Sequence, residues 1–492
     1  MTTINTTMTA MIDGVDVPTD HWIDGCWASG PDRFAVYSPI DGNHLAEVAA
    51  GTAADVDAAV AAARVAFPGW AALGAEGRAP ILHRFAEAIT ANVERISTVE
   101  AVDNGALLAG LKRAVIPRAA HNISFFADHA LGLGETIESE HVTNRVRFDP
   151  SGVAALITPW NAPFMLTTWK VGPALAAGNT VVIKPPEWAP LSAGLLAELS
   201  AEAGVPAGVL NIVHGIGDVA GAALAAHPDV DRISFTGSTA TAKSIGRAAA
   251  ETLTPVSFEL GGKSPLVVLA DADLDAAAAT IARQYMNAGQ VCLSGTRIIV
   301  EQPIAHELLD KVRAAAEALV VGDPRERTTR IGPLIHPEHA ARVDGFVQRA
   351  ISDGARVLWG GGPHEAGDLY YQPTMLDQVA TDSELFRSEV FGPVLSWHVV
   401  ADADEAVDLA NDQDYGLAAT LFGRDAERTQ QVADRLVAGT VWVNCYYVRE
   451  LAAPFGGSRN SGIGREGGNW SFDFFCDVKN VAVQHDSFSK GN

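Results

Sequence analysis

Cysteine is scarce: Cys26, Cys292, Cys445 and Cys476 are the only four in 492 residues. Their wide spacing gives neither a disulfide framework nor a CxxC or zinc-type pair, so a reducing, cytoplasmic setting without a bound metal is expected. Positive charge is also short, with 35 Lys and Arg against 59 Asp and Glu and a formal charge of −24. Such a surface repels phosphate backbones and anionic headgroups, which excludes non-specific binding of nucleic acid or membrane. No uncharged apolar run reaches the ~20 residues a bilayer needs without an interrupting Pro or Gly. The stretch MTTINTTMTAMIDGVDVPTD has no basic or apolar leader segment, and its acidic residues argue against a transit peptide. What is present is globular: 48% hydrophobic and 19% charged residues, in a chain long enough for several domains of roughly 100 to 200 residues each.

The first 130 residues read as mostly helical. Val56, Val60, Ala63 and Phe67 recur at helical spacing, as do Leu82, Phe85, Ile89, Val93 and Ile96. From Val153 the pattern changes to short apolar runs, VAALIT, TVVIK, VLNIV, RISF and PVSF, separated by Ala-rich helical stretches. Runs without polar alternation are buried on both faces, so this is a doubly wound parallel sheet. After Gly261 and Gly262 the rhythm restarts with PLVVLA, a helix expected from Asp273 to Ala288, and RIIVE, which predicts a second α/β domain. Asn144 to Phe148 and Asp477 to His485 look like strands with no sheet of their own. Exposed strand edges need partners, so a homodimer or homotetramer is expected.

Several strings invite a chemical reading beside a plain one. Gly215, Gly217 and Ala220 make a GxGxxA pattern of the kind that cradles a pyrophosphate. Asp231 is wrongly spaced for a ribose acid, and a structural turn is the expected reading. After Phe235, the residues Gly237, Ser238 and Thr239 open a helix, as a phosphate site or as an ordinary N-cap. Lys184 and Glu187 in TVVIKPPE stand at a strand's carboxyl end, where open α/β sheets bind ligands; a solvated strand end is the alternative. With a cofactor there, Lys184 bonds ribose hydroxyls, and Glu187 accepts a 2′-hydroxyl while repelling a 2′-phosphate, favouring NAD over NADP. Cys292, in NAGQVCLSGTR, lies between a helix and a strand. Most single cysteines are inert fillers, yet Glu259 in FELGGKSP and Asn161 in TPWNAP are the residue types a thiol nucleophile needs as base and oxyanion donor.

Together TPWNAP, KPPE, FTGST, FELGGKSP, GQVC, EVFGPV, NCYYV, PFGG and SGIGREGG, in this order over roughly residues 20 to 485, resemble the NAD(P)-dependent aldehyde dehydrogenase superfamily. The resemblance implies two doubly wound, Rossmann-like α/β domains and a small β bridging and oligomerisation element. The implied NAD-binding domain is 1–131 and 151–261, the catalytic domain 262–475, and the bridging element 132–150 and 476–492. By the same resemblance Cys292 is the nucleophile, Asn161 and the Cys292 amide form the oxyanion hole, and Glu259 is the base for deacylation. Glu466 matches a second acid of a proton relay, and Lys170 a structural lysine beside the site. Trp160, Lys184, Glu187, Gly237 and Ser238 are implied cofactor contacts, with Glu389 on the nicotinamide ribose and Phe391 near the ring. Relatives that pass the acyl group to coenzyme A typically lack the glutamate at 259, so hydrolysis is implied. A silent protein of the same fold is the remaining alternative, and the intact set Cys292, Glu259 and Asn161 speaks against it.

The segments IPRAAHN, 116–122, and NCYYVRELAAPFGG, 444–457, are most similar to the branch that oxidises hydroxymuconic semialdehydes from aromatic ring cleavage. That branch commonly has RDLRTAFGG; here Arg449 is kept and Ala452 replaces the second arginine. Arg449 offers a two-pronged grip on a carboxylate, with a solvated loop charge as the alternative. Met165, Trp169, Val291, Leu293, Tyr447 and Phe455 are expected to line the substrate tunnel, which also suits an apolar aromatic or aliphatic aldehyde. Ala242, where many relatives have glycine, is expected to alter how closely helix and cofactor approach.

Overall fold

The computed structural model describes residues 7–485. Its framework is two large sheets. The first has eight strands in the order Gly462–Ile463, Val256–Leu260, Arg232–Gly237, Val153–Ile157, Thr180–Lys184, Leu210–Ile212, His21–Ile23 and Cys26–Ala28. Its five central strands are parallel. They are the five apolar runs, and Val153–Ile157 and Thr180–Lys184 are buried at every position, as strands covered on both faces must be. The strand order reverses between Val153–Ile157 and Arg232–Gly237, the kind of switch point outside which such sheets bind ligands.

The second sheet is ordered Arg356–Trp359, Thr374–Asp377, Val394–Val400, Gly295–Glu301, Ser264–Val268, Ala418–Phe422 and Thr440–Val443, and only its first strand is antiparallel. On the first sheet lies the helix Pro163–Ala177, on that helix Ile116–His129, and on that in turn Gly74–Ala91. No single helix among the described residues is long and apolar enough to cross a membrane, and none of their His, Cys, Asp and Glu groups could hold a metal.

Three expectations are corrected. Residues 9–49 are not helical but form six short strands, TAMI, VDVP, HWI, CWA, RFAVY and HLAEVA. Asp13-Gly14 and Asp24-Gly25 turns close the first two hairpins, and Asp-Gly between apolar residues is a strong hairpin signal. The helix expected to reach Ala288 ends at Arg283, because Asn287, Ala288 and Gly289 adopt left-handed φ of 55°, 53° and 69°. The two strands expected to lack a sheet pair with each other: Val142–Pro150 runs antiparallel to Cys476–Gln484, and Glu135–Glu138 adds a third strand. Residues 1–6, the start of the stretch MTTINTTMTAMIDGVDVPTD, and 486–492, the end of the expected bridging element, lie outside the described residues.

Candidate active site

Glu259 lies near the carboxyl end of Val256–Leu260, whereas Cys292 and Glu389 precede the strands Gly295–Glu301 and Val394–Val400. The carboxyl edge of the first sheet therefore meets the amino edge of the second. At the first edge, Lys184 Nζ donates to Glu187 Oε2 at 2.7 Å. Burial tends to raise the Glu187 carboxyl, but the Lys184 charge and hydrogen bond outweigh it and hold it below the usual carboxylate range. Gly217 N–H donates to the other Glu187 oxygen at 3.4 Å, so the GxGxxA turn and the KPPE turn converge. Asp231 takes no part: at the opposite edge it pairs with Arg64 at 2.8 Å and accepts from Val153 N–H at 2.7 Å.

Ser238 is the N-cap of the helix Thr239–Ala250, its hydroxyl accepting from Thr241 N–H at 3.1 Å. Gly237 and Ser238 are accessible at that helix start, which leaves a positive helix end facing the crevice. Across it, Glu389 accepts from Gly262 N–H at 3.1 Å, and burial raises its carboxyl to about 7. Gly261 has no room for a side chain, since a Cβ there would overlap the Glu389 carboxylate. Phe391, at φ 59°, meets the Trp160 ring edge-on at 5.2 Å. An accessible helix start, a ribose-type acid beside a lysine, and a second acid across the crevice fit a dinucleotide. Ala242 does not touch this crevice: it is 2% exposed, packed with Ile233, Ile245 and Phe258, so its methyl fills the helix–sheet interface instead of standing toward a cofactor.

Beyond the crevice lies the pit that holds Cys292. Asn161 sits in the turn between Val153–Ile157 and the helix Pro163–Ala177, and its Nδ2 donates to Gln290 O at 3.0 Å. A side-chain amide has two N–H groups, so one aims the group and the other is left for an oxyanion. Asn287 Nδ2 bonds both Asn161 O and Gln290 O at 3.3 Å. The Gln290 side chain bonds Asn287 O at 3.1 Å and accepts from Ile335 N–H at 3.0 Å. These bonds hold the left-handed run ahead of Cys292, which costs of order 1–2 kcal/mol per residue with a Cβ.

Burial pushes the Cys292 thiol up to about 12; the negative charges of Glu389 and Glu259 add to this and Arg449 opposes it. Glu259 is 5% exposed and neither carboxylate oxygen has a hydrogen-bond partner. Burial, then the nearby Glu466, raise it well above the carboxylate range, against Lys170, Arg449 and Arg465. Glu466 is held: Lys170 Nζ reaches it at 2.9 Å and also donates to Ser234 Oγ at 2.8 Å, while Trp169 Nε1 donates to its other oxygen.

Of the expected tunnel residues, Met165, Val291 and Tyr447 are partly or largely exposed, while Trp169 and Phe455 are buried side walls. Leu293, 2% exposed, packs with Leu417, Trp442 and Phe455 and braces the wall from behind instead of lining it. The Arg449 guanidinium lies over the rings of Phe455 at 3.6 Å and Trp169 at 5.0 Å, and its Nη2 is buried without a partner. Arg118, from the helix Ile116–His129, donates to Arg449 O at 3.2 Å and to Asn122 Oδ1 at 3.1 Å. Burial and then the Arg449 charge lower its pKa, against Tyr447 and Glu450. Sequence reading passed over Arg118, Asn287 and Gln290. The only signal was their place in the segments IPRAAHN and NAGQVC.

The aldehyde dehydrogenase family model matches residues 27–481. The 2-hydroxymuconic semialdehyde dehydrogenase of Pseudomonas sp. (strain CF600) is 44% identical over 94% of this chain and 99% of its own length. The 5-carboxymethyl-2-hydroxymuconate semialdehyde dehydrogenase of Escherichia coli is 41% identical, over 92% and 98%. An indole-3-acetaldehyde dehydrogenase mutant of P. syringae, solved in complex with NAD+ and IAA, superposes with a TM-score of 0.94 at 37% identity, covering 96% of this chain and 98% of that one. A family match over most of the chain, set on a sheet switch point that opens onto a cysteine, an amide and a buried glutamate, makes the chain a member of the aldehyde dehydrogenase family, an oxidoreductase acting on aldehydes.

Proposed function

We propose that the enzyme oxidises a semialdehyde carrying a carboxylate tail, of the 2-hydroxymuconic semialdehyde type, to its acid, using NAD. The substrate class rests on one observation. Arg118 and Arg449 stand within reach of each other's charge at the pit, and one Arg449 nitrogen is buried with no acceptor. A buried, unpaired cationic donor is costly until an anion meets it. Ala452, at the position of the lost arginine, is exposed; Arg118 supplies the second guanidinium from the helix Ile116–His129. An apolar aldehyde is served less well, because the aromatic faces of Trp169 and Phe455 are already covered by Arg449.

When bound, the nicotinamide cofactor supplies the hydride acceptor. Lys184, Glu187, Gly237, Ser238, Glu389, Phe391 and Trp160 would hold it. Glu187, ionised and paired, accepts a hydroxyl and repels a phosphate, which supports NAD over NADP. The Cys292 sulfur attacks the aldehyde carbon as its proton is released to solvent. The free N–H of Asn161 and the Cys292 amide stabilise the alkoxide, a contribution of about 3–4 kcal/mol per donor. Loss of hydride leaves a thioester on Cys292. Glu259 then takes a proton from water, which attacks the thioester, breaks the C–S bond and frees the acid. Glu466, held by Lys170, Trp169 and Ser234, stands behind Glu259 to pass that proton on. Four free cysteines suit a cytoplasmic enzyme, and the free edges of the three-stranded sheet suit a homodimer or homotetramer.

NADH formation with 2-hydroxymuconic semialdehyde, benzaldehyde and hexanal tests the reading. The anionic substrate is expected to give the highest kcat/KM, and Arg449→Ala to lower that value alone by about tenfold to a hundredfold, the scale of a lost charged hydrogen bond. Equal losses for all three aldehydes would overturn the carboxylate assignment.

A further inference from the structure

The turn that carries Glu389 and Phe391 is held from outside by a single helix, Pro337–Ser352. Arg342 Nη2 and Nη1 donate to Glu389 O and Val390 O, each at 2.7 Å, and His339 Nε2 bonds Phe391 O at 2.8 Å. Three successive carbonyls are thus gripped by two side chains one helical turn apart, which share one helix face. Burial lowers His339 to about 4, with the backbone bond opposing and the charges of Arg342 and His336 assisting. The ring is therefore neutral at pH 7, and a bond to a carbonyl assigns its proton to Nε2.

The grip matters because Phe391 is in a left-handed conformation, φ 59°, which a residue with a Cβ leaves unless it is restrained. Trp160 packs edge-on against both the His339 ring, at 5.3 Å, and the Phe391 ring, at 5.2 Å. The far end of the turn is seated independently: Gly289 lies so close to the Gly392 carbonyl that a Cβ there would overlap it.

We propose that His339 and Arg342 are positioning residues for the cofactor: they hold the Glu389–Phe391 backbone so that the Glu389 carboxylate and the Phe391 ring present themselves to the nicotinamide ribose. The inference rests on the assignment of Glu389 and Phe391 to that end of the dinucleotide. Neither His339 nor Arg342 is placed in contact with the reacting atoms; both act through the backbone of the turn.

The test compares His339→Leu, Arg342→Met and His339→Gln with the wild type by calorimetric titration with NAD, by KM for NAD and for aldehyde, and by cofactor-free hydrolysis of p-nitrophenyl acetate at Cys292. In the Leu and Met variants the Kd and KM for NAD are expected to rise about tenfold, while KM for aldehyde and ester hydrolysis stay within about twofold. His339→Gln, whose amide can donate to the same carbonyl, is expected to recover most of the NAD affinity. Unchanged NAD affinity in both variants overturns the proposal, as does a parallel loss of ester hydrolysis, or a Gln variant as weak as the Leu variant. A wild type that reduces NAD while all three variants match it removes the positioning role alone. A wild type that neither binds nor reduces NAD removes the cofactor reading and this role with it.

Discussion

The cofactor crevice and the catalytic pit treat their polar groups in opposite ways. In the crevice each one is already answered: Lys184 by Glu187, Glu187 also by Gly217 N–H, Ser238 by Thr241 N–H. In the pit, Glu259 has two buried oxygens and Arg449 a buried nitrogen with no partner, and the Cys292 thiol is held far from its ordinary pKa. A group that only binds can exchange one hydrogen-bond partner for another at small net cost. A group that must gain or lose a proton gains from a dry, unpaired setting, because burial is what moves its pKa. The pair of Lys170 and Glu466 is paired like the crevice and buried like the pit.

The contrast breaks most visibly at Cys292. Cys292→Ala is expected to reduce aldehyde oxidation by on the order of 10⁴-fold or more, with NAD affinity unchanged in a calorimetric titration. A matching loss of affinity would mean that crevice and pit are one energetic unit. Glu259→Gln comes next, with a steady-state loss of about 10²–10⁴-fold and a preserved first-turnover burst of NADH. Because burial and the nearby Glu466 raise the Glu259 pKa, its base form grows as pH climbs over a range displaced above that of an ordinary carboxylate. The wild-type deacylation rate should therefore still rise with pH above the ordinary carboxylate range, and the Gln variant should lose that limb. A wild-type profile that is flat there would show Glu259 already ionised.

The smallest effect concerns stability. Lys170→Met strands Glu466 in a dry site, where breaking a buried ion pair costs about 3–5 kcal/mol. Lys184→Met leaves Glu187, whose side chain is 34% exposed, with water in place of its partner, a loss nearer ~1 kcal/mol. Urea midpoints of the two variants read the difference; equal midpoints would show that burial does not separate the two pairs.

Some of this architecture is legible in the chain and some is not. Five unbroken apolar runs become five adjacent parallel strands, since only a two-sided sheet buries both faces. Ser238 caps a helix as its hydroxyl suggests. The segment before residue 53 departs from the helical expectation because its strands are only three to six residues long, too short to show a strand period, and Asp-Gly turns close the first two hairpins. The helix ahead of Cys292 is shorter than its apolar spacing predicts, because Asn287 is only a weak mark of a left-handed backbone and Ala288 is none. The partners that force it, Asn161, Ile335 and Gly392, lie elsewhere in the chain.

By itself the sequence determined which motifs place the chain among the aldehyde dehydrogenases, where the buried strands run, and a net charge of −24. All of these are local, because period, apolarity and residue type are properties of neighbouring positions. Tertiary structure alone decided that Arg118 stands beside Arg449 across 331 positions, that Lys170 clasps Glu466 across 296, and that the strands at 142–150 and 476–484 answer each other. Such contacts form only when loop-closure entropy is repaid by the packing of whole sheets and helices, so no window of sequence contains them.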